Sequence, residues 1–537
     1  MRSRLPAFAS FALALSIAGS AAALDADPSN YQSVVATLKA GDTLNLAAGT
    51  YTGGLNITDL QGTPDMPIVI QGAGETTVFE GNGCCNTVEI KNSSHVAIRK
   101  IKVDGKGIDG VFGVSAKDGV NNVVHHITVE DCTFVGQNGS QQTVAISTKT
   151  PTFGWIIRRN VIDGAGTGMY LGNSDHSQPF VGGLIEYNLI KNTIGYNMQI
   201  KDQDVWPVHP ALPDVPARTI LRHNVFIKDD QPSPDGARPN VFLGGLPPSG
   251  NGADDRVEVY GNLFYHNSSG EGLIQAAGRV SIHDNLFVDA SDEAISLVQH
   301  DGFPLLRAGV YNNTIYGASR GIVFGSAGTA GDEVIGNLIF AASPIEGDPA
   351  HQDQNITDAV AAAASYVTAP STVLGQMDFH PLAGAAEGPA LDLMVFSDDA
   401  APGCDFDGVS KGGFTFRGAY AGSGPTPGWM PAAAIKPEVA SCGQGGSGGS
   451  GGGGGASGGS GGATGGSGGG SGGSGATGGS GSDSEDGGGC GCRTAVGLGD
   501  GGIDWRVALV AASVACVWRR RRVGVRASCK SFSIPRR

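Results

Sequence analysis

The stretch WIIRRNVIDG (residues 155–164) decides the fold, because close variants of it recur along the chain. Each copy has alternating apolar residues, then Asn, then a second apolar pair. The other copies are ITVEDCTFVG (127–136, with Asp131 in the place of Asn), GLIEYNLIKN (183–192), TILRHNVFIK (219–228), VEVYGNLFYH (257–266), VSIHDNLFVD (280–289), AGVYNNTIYG (308–317) and DEVIGNLIFA (332–341). The Asn residues are Asn160, Asn188, Asn224, Asn262, Asn285, Asn313 and Asn337, spaced by 28, 36, 38, 23, 28 and 24 residues. A repeat of this length indicates a solenoid.

Three short strands fit into each repeat, with the Asn between two of them. We expect this Asn to adopt the left-handed backbone conformation, which Asn tolerates better than most residues. Stacked Asn side chains can hydrogen-bond along the axis of a solenoid. The sequence does not support a leucine-rich repeat fold, because the Leu/Asn consensus of those repeats is absent. It does not support a propeller either, because the Trp-Asp motif is absent. The repeat therefore predicts a parallel β-helix.

The two ends of the repeat region carry a resemblance. LKAGDTLNLAAGTYTG (38–53) at the start, with FHPLAGAAEGPALDL (379–393) and CDFDGVSKGGFTFRGAY (404–420) at the end, resembles the right-handed parallel β-helix proteins of the pectate lyase-like superfamily. The alginate lyase and chondroitinase B branch is the most similar. The resemblance implies an all-β, single-stranded right-handed solenoid over residues 24–440, with regular coils at about 51–340 and an irregular extension at 341–440. Residues 31–40, after the N-cap pair Ser29 and Asn30, are expected to form a capping helix.

Both termini of the chain have compositions of their own. Residues 1–23 combine Arg2 and Arg4, an apolar run and small residues, which is typical of a signal peptide. Residues 441–489 form a Gly/Ser-rich linker. Residues 490–537 contain Cys490, Cys492, a short apolar segment and an Arg block, and they resemble the myxobacterial C-terminal sorting signal. The resemblance implies export and processing by dedicated machinery, a cell-surface or extracellular location, and membrane contact only through this tail.

Charge and cysteine content narrow the function classes. The 537-residue chain has a net charge of −15, and the tail is basic, so the remaining body is strongly acidic. An acidic body repels nucleic acid, which is therefore excluded as a partner. Nine cysteines are present. We expect Cys404 to pair with Cys442 and Cys132 to be a buried thiol.

The segment YNMQIKDQD (196–204) is the candidate site. Period-two alternation places Met198 and Ile200 inside, so Gln199 and Lys201 point outward. The predicted outward column contains Ala145, Tyr170, Gln199, Phe242, Ile274, Ser296 and Val323, and the next column sets Lys201 between Gly172 and Gly244. These columns predict a groove with a cationic centre and aromatic walls, which suits a sugar chain.

Long loops beside Lys201 contribute the remaining candidates. The predicted substrate-binding residues are Tyr170, Asn173, Gln199, Gln203, Trp206 and Phe242, with Trp206 above the floor. Asp202 and Asp204 are the candidate metal ligands, for Ca²⁺. The alternative interpretation of the Lys-Asp-Gln-Asp run is a solvated outer face, and His209 in particular fits a structural role as well as a catalytic one.

In the branch that this sequence resembles, a Lys at the position of Lys201 acts as the base in β-elimination from a uronate-containing polysaccharide. That resemblance implies a polysaccharide lyase with Lys201 as the catalytic base, and Arg238 and His209 are further catalytic candidates. The branch places an Arg on the next strand, whereas Arg238 precedes it here. Two alternatives stay open: a non-catalytic surface protein that binds glycans or neighbouring cells, and a glycoside hydrolase that uses two of Asp202, Asp204, Asp229 and Asp230.

Overall fold

A computed structural model describes residues 21–83, 86–117, 122–206, 208–328, 330–422 and 428–439. The predicted signal peptide (almost entirely), linker and sorting tail, with Cys490 and Cys492, lie outside the described residues. Within the described part, no helix is long and apolar enough to cross a membrane. Cys132 is a buried free thiol, as predicted, and Cys404 is disulfide-bonded, whereas its predicted partner Cys442 is not among the described residues.

Short strands make up nearly all of the regular structure. The first third contains β1 (Ala23–Ala26), β2 (Thr43–Leu46), β3 (Gly49–Tyr51), β4 (Leu55–Thr58), β5 (Ile68–Gln71), β6 (Thr77–Glu80), β7 (Val88–Lys91), β8 (Ser94–Arg99), β9 (Lys102–Asp104), β10 (Val114–Ala116), β11 (Val124–Glu130) and β12 (Thr133–Val135). The middle contains β13 (Val144–Thr148), β14 (Thr152–Phe153), β15 (Ile156–Arg158), β16 (Val161–Asp163), β17 (Thr167–Leu171), β18 (Phe180–Val181), β19 (Leu184–Glu186), β20 (Leu189–Lys191), β21 (Met198–Ile200), β22 (Arg218–Arg222), β23 (Val225–Ile227) and β24 (Val241–Leu243). The last part contains β25 (Arg256–Tyr260), β26 (Leu263–Asn267), β27 (Ile274–Ala276), β28 (Gly278–His283), β29 (Leu286–Ala290), β30 (Glu293–Leu297), β31 (Leu305–Tyr311), β32 (Thr314–Phe324), β33 (Glu333–Ile335), β34 (Leu338–Glu346), β35 (His351–Asp353), β36 (Ile356–Asp358), β37 (Val367–Ala369) and β38 (Asp378–Pro381).

These strands form three parallel stacks, one on each face of the solenoid. The first stack runs β1-β2-β5-β8-β11-β15-β19-β22-β25-β28-β31-β33-β35. The second runs β3-β6-β9-β12-β16-β20-β23-β26-β29-β32-β34-β36, and the third runs β4-β7-β10-β13-β17-β21-β24-β27-β30-β32. Among the strands of the described residues, only β37 and β38 pair antiparallel. The predicted right-handed parallel β-helix is confirmed.

One continuous apolar core fills the solenoid from Ala26 to Ala341. It contains the inward residues of all three stacks, such as Met198 and Ile200 of β21, which are almost fully buried. A second cluster forms where the C-terminal extension packs against the second stack, with Phe379 and Tyr420 among its members. Burial of apolar surface on this scale is the main source of stability for a fold without long helices.

The repeated Asn residues form the predicted ladder. The side-chain amide nitrogen of each donates to the side-chain oxygen of the next at 2.9–3.0 Å, from Asn160 to Asn355. Their backbone conformation differs from the prediction, because the left-handed residue is the one immediately before each Asn, such as Arg159 or His223. In the first repeat, Asp131 takes that position and the backbone N–H of Cys132 bonds to Asn160.

The N-terminal helix is shorter than predicted. Helix α1 (Tyr31–Val35) is a single turn whose buried Tyr31 packs on Tyr51 and Phe79 at the start of the solenoid. Asn30 makes no side-chain capping bond to it. Three 3₁₀ turns, Gly74–Thr76, Val360–Ser365 and Met394–Phe396, complete the helical content of the described residues.

Candidate functional site

The candidate site lies on the third stack, where β17, β21 and β24 end. Parallel register aligns Tyr170 of β17 with Gln199 of β21, and Gln199 with Phe242 of β24. The column continues to Gln275 and Ser296. The predicted alignment of Tyr170, Gln199 and Phe242 therefore occurs in the structure.

Two members of the predicted column were wrong by one residue. Ser147, not Ala145, lies beside Tyr170, and Gln275, not Ile274, lies beside Phe242. Ala145 and Ile274 belong to the buried core. Small and apolar residues occur on both faces of these strands, so alternation alone did not fix their register.

The outward column is more covered than the predicted groove floor. Gln199 is 4% exposed and Phe242 is 1% exposed, because the rings of Tyr196 and His300 pack on Phe242 at centroid distances of 6.2 and 4.4 Å. Tyr170 and Gln275 are half-buried. Phe242 therefore cannot act as a wall against which a sugar stacks, whereas Tyr170 can.

Lys201 is the chemically distinctive residue at this point. Its side chain leaves the end of β21 between Gly172 and Gly244, where a Cβ on either glycine would crowd the lysine. The residue is 7% exposed, and its Nζ lies 5.8 Å from the centroid of the Tyr170 ring. Lys149 approaches the same ring at 5.4 Å. Two ammonium groups therefore meet at one tyrosine.

Next to Lys201, the buried Asp202 pairs with the half-buried His300. The Nδ1 of His300 lies 2.8 Å from one oxygen of Asp202, and the other oxygen accepts the N–H of Gly245 at 2.6 Å. The hydrogen bond from Asp202 raises the pKa of His300, although burial and the charge of Lys201 oppose the rise. A raised pKa favours the imidazolium form of His300.

The KDQD run is not a solvated outer face, because its first three residues are buried. Gln203 donates to the carbonyl of Phe180 at 3.3 Å, and its side-chain oxygen lacks a partner within the described part of the chain. Asp204 is exposed, and its backbone N–H bonds to the carbonyl of His176. Asn173 donates to Asp175 on the loop after β17.

The candidate metal ligands assemble differently from the prediction. Asp202 groups with His176 and Asp301, each offering one atom within 4.8 Å of the others, whereas Asp204 is not part of this group. Ca²⁺ prefers six to eight oxygen ligands. Two carboxylates and an imidazole, with both Asp202 oxygens already engaged, do not match that preference. No chemical step is therefore assigned to Ca²⁺.

Three other predicted site residues lie away from Lys201. Trp206 is buried in an apolar cluster with Val181 and Leu212, so it does not cover the column as predicted. Arg238 lies before β24, as the sequence indicates, and its guanidinium donates to the carbonyls of Asp235 and Ala237. The Nδ1 of His209 accepts the N–H of Ala211 within its own loop.

Sequence reasoning missed His176, His300 and Asp301. Each follows a strand of the third stack, just as the KDQD run follows β21. In parallel stacks these strand ends share an edge, so polar residues after aligned strands were the available signal. The signal was overlooked because "VQHDG" (298–302) has no counterpart in the other repeats.

Comparison with known proteins gives fold-level similarity. No family profile and no curated protein sequence matches the chain. Among solved structures, it is similar to an alginate lyase from Paenibacillus sp. (15% identity, 63% of this chain and 99% of that one, TM-score 0.30) and to pectate lyase Pel9A (13%, 75% and 96%, 0.42). A lacto-N-biosidase from Eubacterium ramulus also matches (12%, 60% and 63%, 0.34). The three differ in activity, and one fold can host many functions, so these similarities describe the parallel β-helix alone.

Proposed function

We propose that this protein is an exported, cell-surface polysaccharide lyase that cleaves a uronate-containing glycan by β-elimination. The observation that carries the proposal is the environment of Lys201. Its side chain is almost fully buried between two glycines, yet among the described residues its amine has no hydrogen-bond or ion-pair partner. An amine held in this way is available to a ligand that brings its own acceptor.

The proposed reaction requires three things of the site. A base must remove the proton on the carbon next to the uronate carboxyl, a positive charge must stabilise the carbanion that forms, and the leaving oxygen must take up a proton. Lys201, as the neutral amine, is the base. The glycosidic C–O bond then breaks, a carbon–carbon double bond forms, and the leaving oxygen takes a proton from water.

His300 supplies the positive charge in this proposal. Its hydrogen bond to Asp202 raises its pKa and orients the ring, and its side chain is 29% exposed, so part of it can reach a ligand. The resembled branch uses an Arg on the following strand, and Arg238 does not occupy that place. Lys149 adds local positive charge on an otherwise acidic body, which favours a polyanionic substrate.

The hydrolase alternative has less support. It needs two carboxylates that both reach the glycosidic bond at a suitable separation. The side chain of Asp202 has no exposure, and Asp230 bonds to His266 rather than lying beside Asp202. The other alternative, a non-catalytic glycan-binding protein, would use the same site. Experiment distinguishes it from a lyase.

The test uses purified protein and a panel of uronate polymers that includes alginate and pectate. Ultraviolet absorbance measures the unsaturated ends that β-elimination creates. We expect product with the parent protein, none with Lys201→Ala, and parent activity with the control Lys191→Ala, whose lysine pairs with Asp163. Glycan binding without product from any polymer would support the binding protein instead. Activity retained in Lys201→Ala would remove Lys201 as the base.

Surface attachment is a separate part of the proposal and is carried by the tail sequence alone. Replacing Cys490 and Cys492 together by Ser should release the protein into the medium, because the resemblance places processing at this pair. Cell fractionation and immunoblotting measure the distribution. Full surface retention of the double variant would contradict this attachment route and leave the catalytic proposal untouched.

A further inference from the structure

Three histidines meet on the first stack of strands, away from Lys201. His95 lies in β8, and His125 and His126 lie in the neighbouring β11. Each offers one ring nitrogen within 4.8 Å of the other two. The rings of His95 and His126 stack at 4.4 Å with an 11° angle, and the Nδ1 atoms of His125 and His126 are 2.9 Å apart.

The backbone explains why adjacent residues converge on one point. Successive side chains of an extended strand point to opposite faces, so His125 and His126 would ordinarily diverge. His126 instead has a φ of 53°, and His95 has a φ of 51°. These left-handed conformations are unfavourable for a residue with a side chain, by roughly 1–2 kcal/mol each. Two such residues turn three imidazoles toward the same space.

The three rings are accessible from the surface of the first stack, because His95 and His125 are half-buried and His126 is exposed. None of the three bonds to a carboxylate within the described part of the chain. In contrast, His266, His300, His351 and His380 each lie within 3 Å of one.

We propose that His95, His125 and His126 form a binding site for a divalent transition-metal ion of the zinc class. Neutral imidazole is the form that binds such ions, and Zn²⁺, Cu²⁺ and Ni²⁺ favour nitrogen ligands. Tetrahedral Zn²⁺ with Zn–N bonds of 2.0–2.1 Å separates its nitrogens by about 3.3 Å. The Nδ1 atoms of His125 and His126 are 2.9 Å apart and all three nitrogens lie within 4.8 Å of one another, so small side-chain shifts bring them to that spacing. One of the two Nδ1 atoms of His125 and His126 now donates a hydrogen bond to the other. When the ion binds, the donating ring changes tautomer, so that both Nδ1 atoms can coordinate the ion.

This site is independent of the proposed lyase chemistry. It lies on the first stack, whereas Lys201 lies at the end of a strand of the third. His209 belongs to the loop that follows Lys201 and is close enough to influence His125. A bound ion would therefore sit beside the loop that starts at the candidate active site, without contacting the proposed base.

The experiment uses the full chain without a histidine tag, treated with a chelator and then dialysed. Co²⁺ titration followed by visible absorption reports tetrahedral coordination, and Zn²⁺ titration by calorimetry gives stoichiometry and affinity. We expect one ion per chain. The variants His95→Asn and His126→Asn suit the left-handed backbone. Each should lower affinity at least about tenfold, since loss of an outer-shell partner alone costs about 10–100-fold.

The matched control is His266→Asn, another histidine with a positive φ (57°), which should bind like the parent. Circular dichroism verifies that all variants are folded. Absence of Zn²⁺ and Co²⁺ uptake by the parent would overturn the proposal. Uptake that persists in both histidine variants but disappears in Asp301→Asn would also overturn it, because the ion would then belong to the group formed by His176, Asp202 and Asp301.

Discussion

Replacing Asn224 by Ala should cost more stability than its size suggests. The buried side chain takes part in four hydrogen bonds. Its amide donates to the Ile185 carbonyl at 2.9 Å and to Asn262 at 3.0 Å, and its oxygen accepts from the Asn188 backbone at 3.0 Å and side chain at 2.9 Å. Two of the partners keep another hydrogen bond after the substitution. The side-chain oxygen of Asn262 still accepts the backbone N–H of residue 224 at 2.8 Å, and the side-chain amide of Asn188 still donates to the Ile157 carbonyl at 2.8 Å.

Two partners therefore lose the bond that Asn224 gave them, namely the Asn188 backbone N–H and the Ile185 carbonyl. A buried polar group left unpaired costs about 1–3 kcal/mol, so for two such groups we expect the free energy of unfolding to fall by about 2–6 kcal/mol. Such a loss is a large fraction of a typical total of about 5–15 kcal/mol.

Urea unfolding followed by circular dichroism measures this change. The matched control is Asn56→Ala in β4, because Asn56 is exposed and outside the ladder, so its effect should stay within about 0.5 kcal/mol. If the two variants were equally stable, the ladder would contribute little beyond an ordinary surface Asn, and the reasoning from its hydrogen bonds would be refuted.

Two further predictions concern the site and the pH dependence of stability. Tyr170→Ala should weaken glycan binding by about 1 kcal/mol or more in calorimetry. Phe242→Ala should instead lower stability by about 3–5 kcal/mol, because Phe242 is buried; equal effects of both on binding alone would contradict this division. The bond to Asp289 raises the pKa of His266 to about 9. A histidine whose pKa is higher in the folded protein contributes its full stabilisation below its ordinary pKa of about 6.5. That contribution to the free energy of unfolding is lost as the pH rises through about 9. Asp289→Asn should flatten melting temperature across that interval, and an NMR titration placing His266 near 6.5 in the parent would exclude the effect.

The sequence repeat was sufficient to predict the coils and the Asn ladder. The recurring Asn has the same place between apolar pairs, and this pattern is typical of Asn side chains that stack from one coil to the next. The residue that takes the left-handed backbone was misplaced by one position. In different coils it is Arg159, Tyr187, His223 or Gly261, and no single residue type occupies this position in all of the coils. A periodic sequence pattern identifies the side chains that repeat. It does not reveal a backbone conformation that many residue types can adopt, because no single residue type then occupies that position in every coil.

The candidate site was predictable only in part for a different reason. Alternation along β21 correctly separates Gln199 and Lys201 from the core residues of the same strand. It does not indicate what covers the outer face, so the burial of Phe242 under His300 was missed. That contact joins residues 58 positions apart in the sequence, across loops that are unlike one another. Such contacts follow from how loops fold over the scaffold, which local patterns do not encode.

The Asn ladder also bears on how this architecture can change over evolutionary time. Each rung joins the next at nearly the same distance, whether 38 residues separate them, as between Asn224 and Asn262, or 18, as between Asn337 and Asn355. One corner of each coil between Asn160 and Asn355 is thus held in place regardless of how much chain the coil contains. Insertions at the other corners need not disturb neighbouring coils. A lineage can therefore lengthen one loop at a time and acquire new recognition surfaces, and a protein engineer can graft loops by the same route.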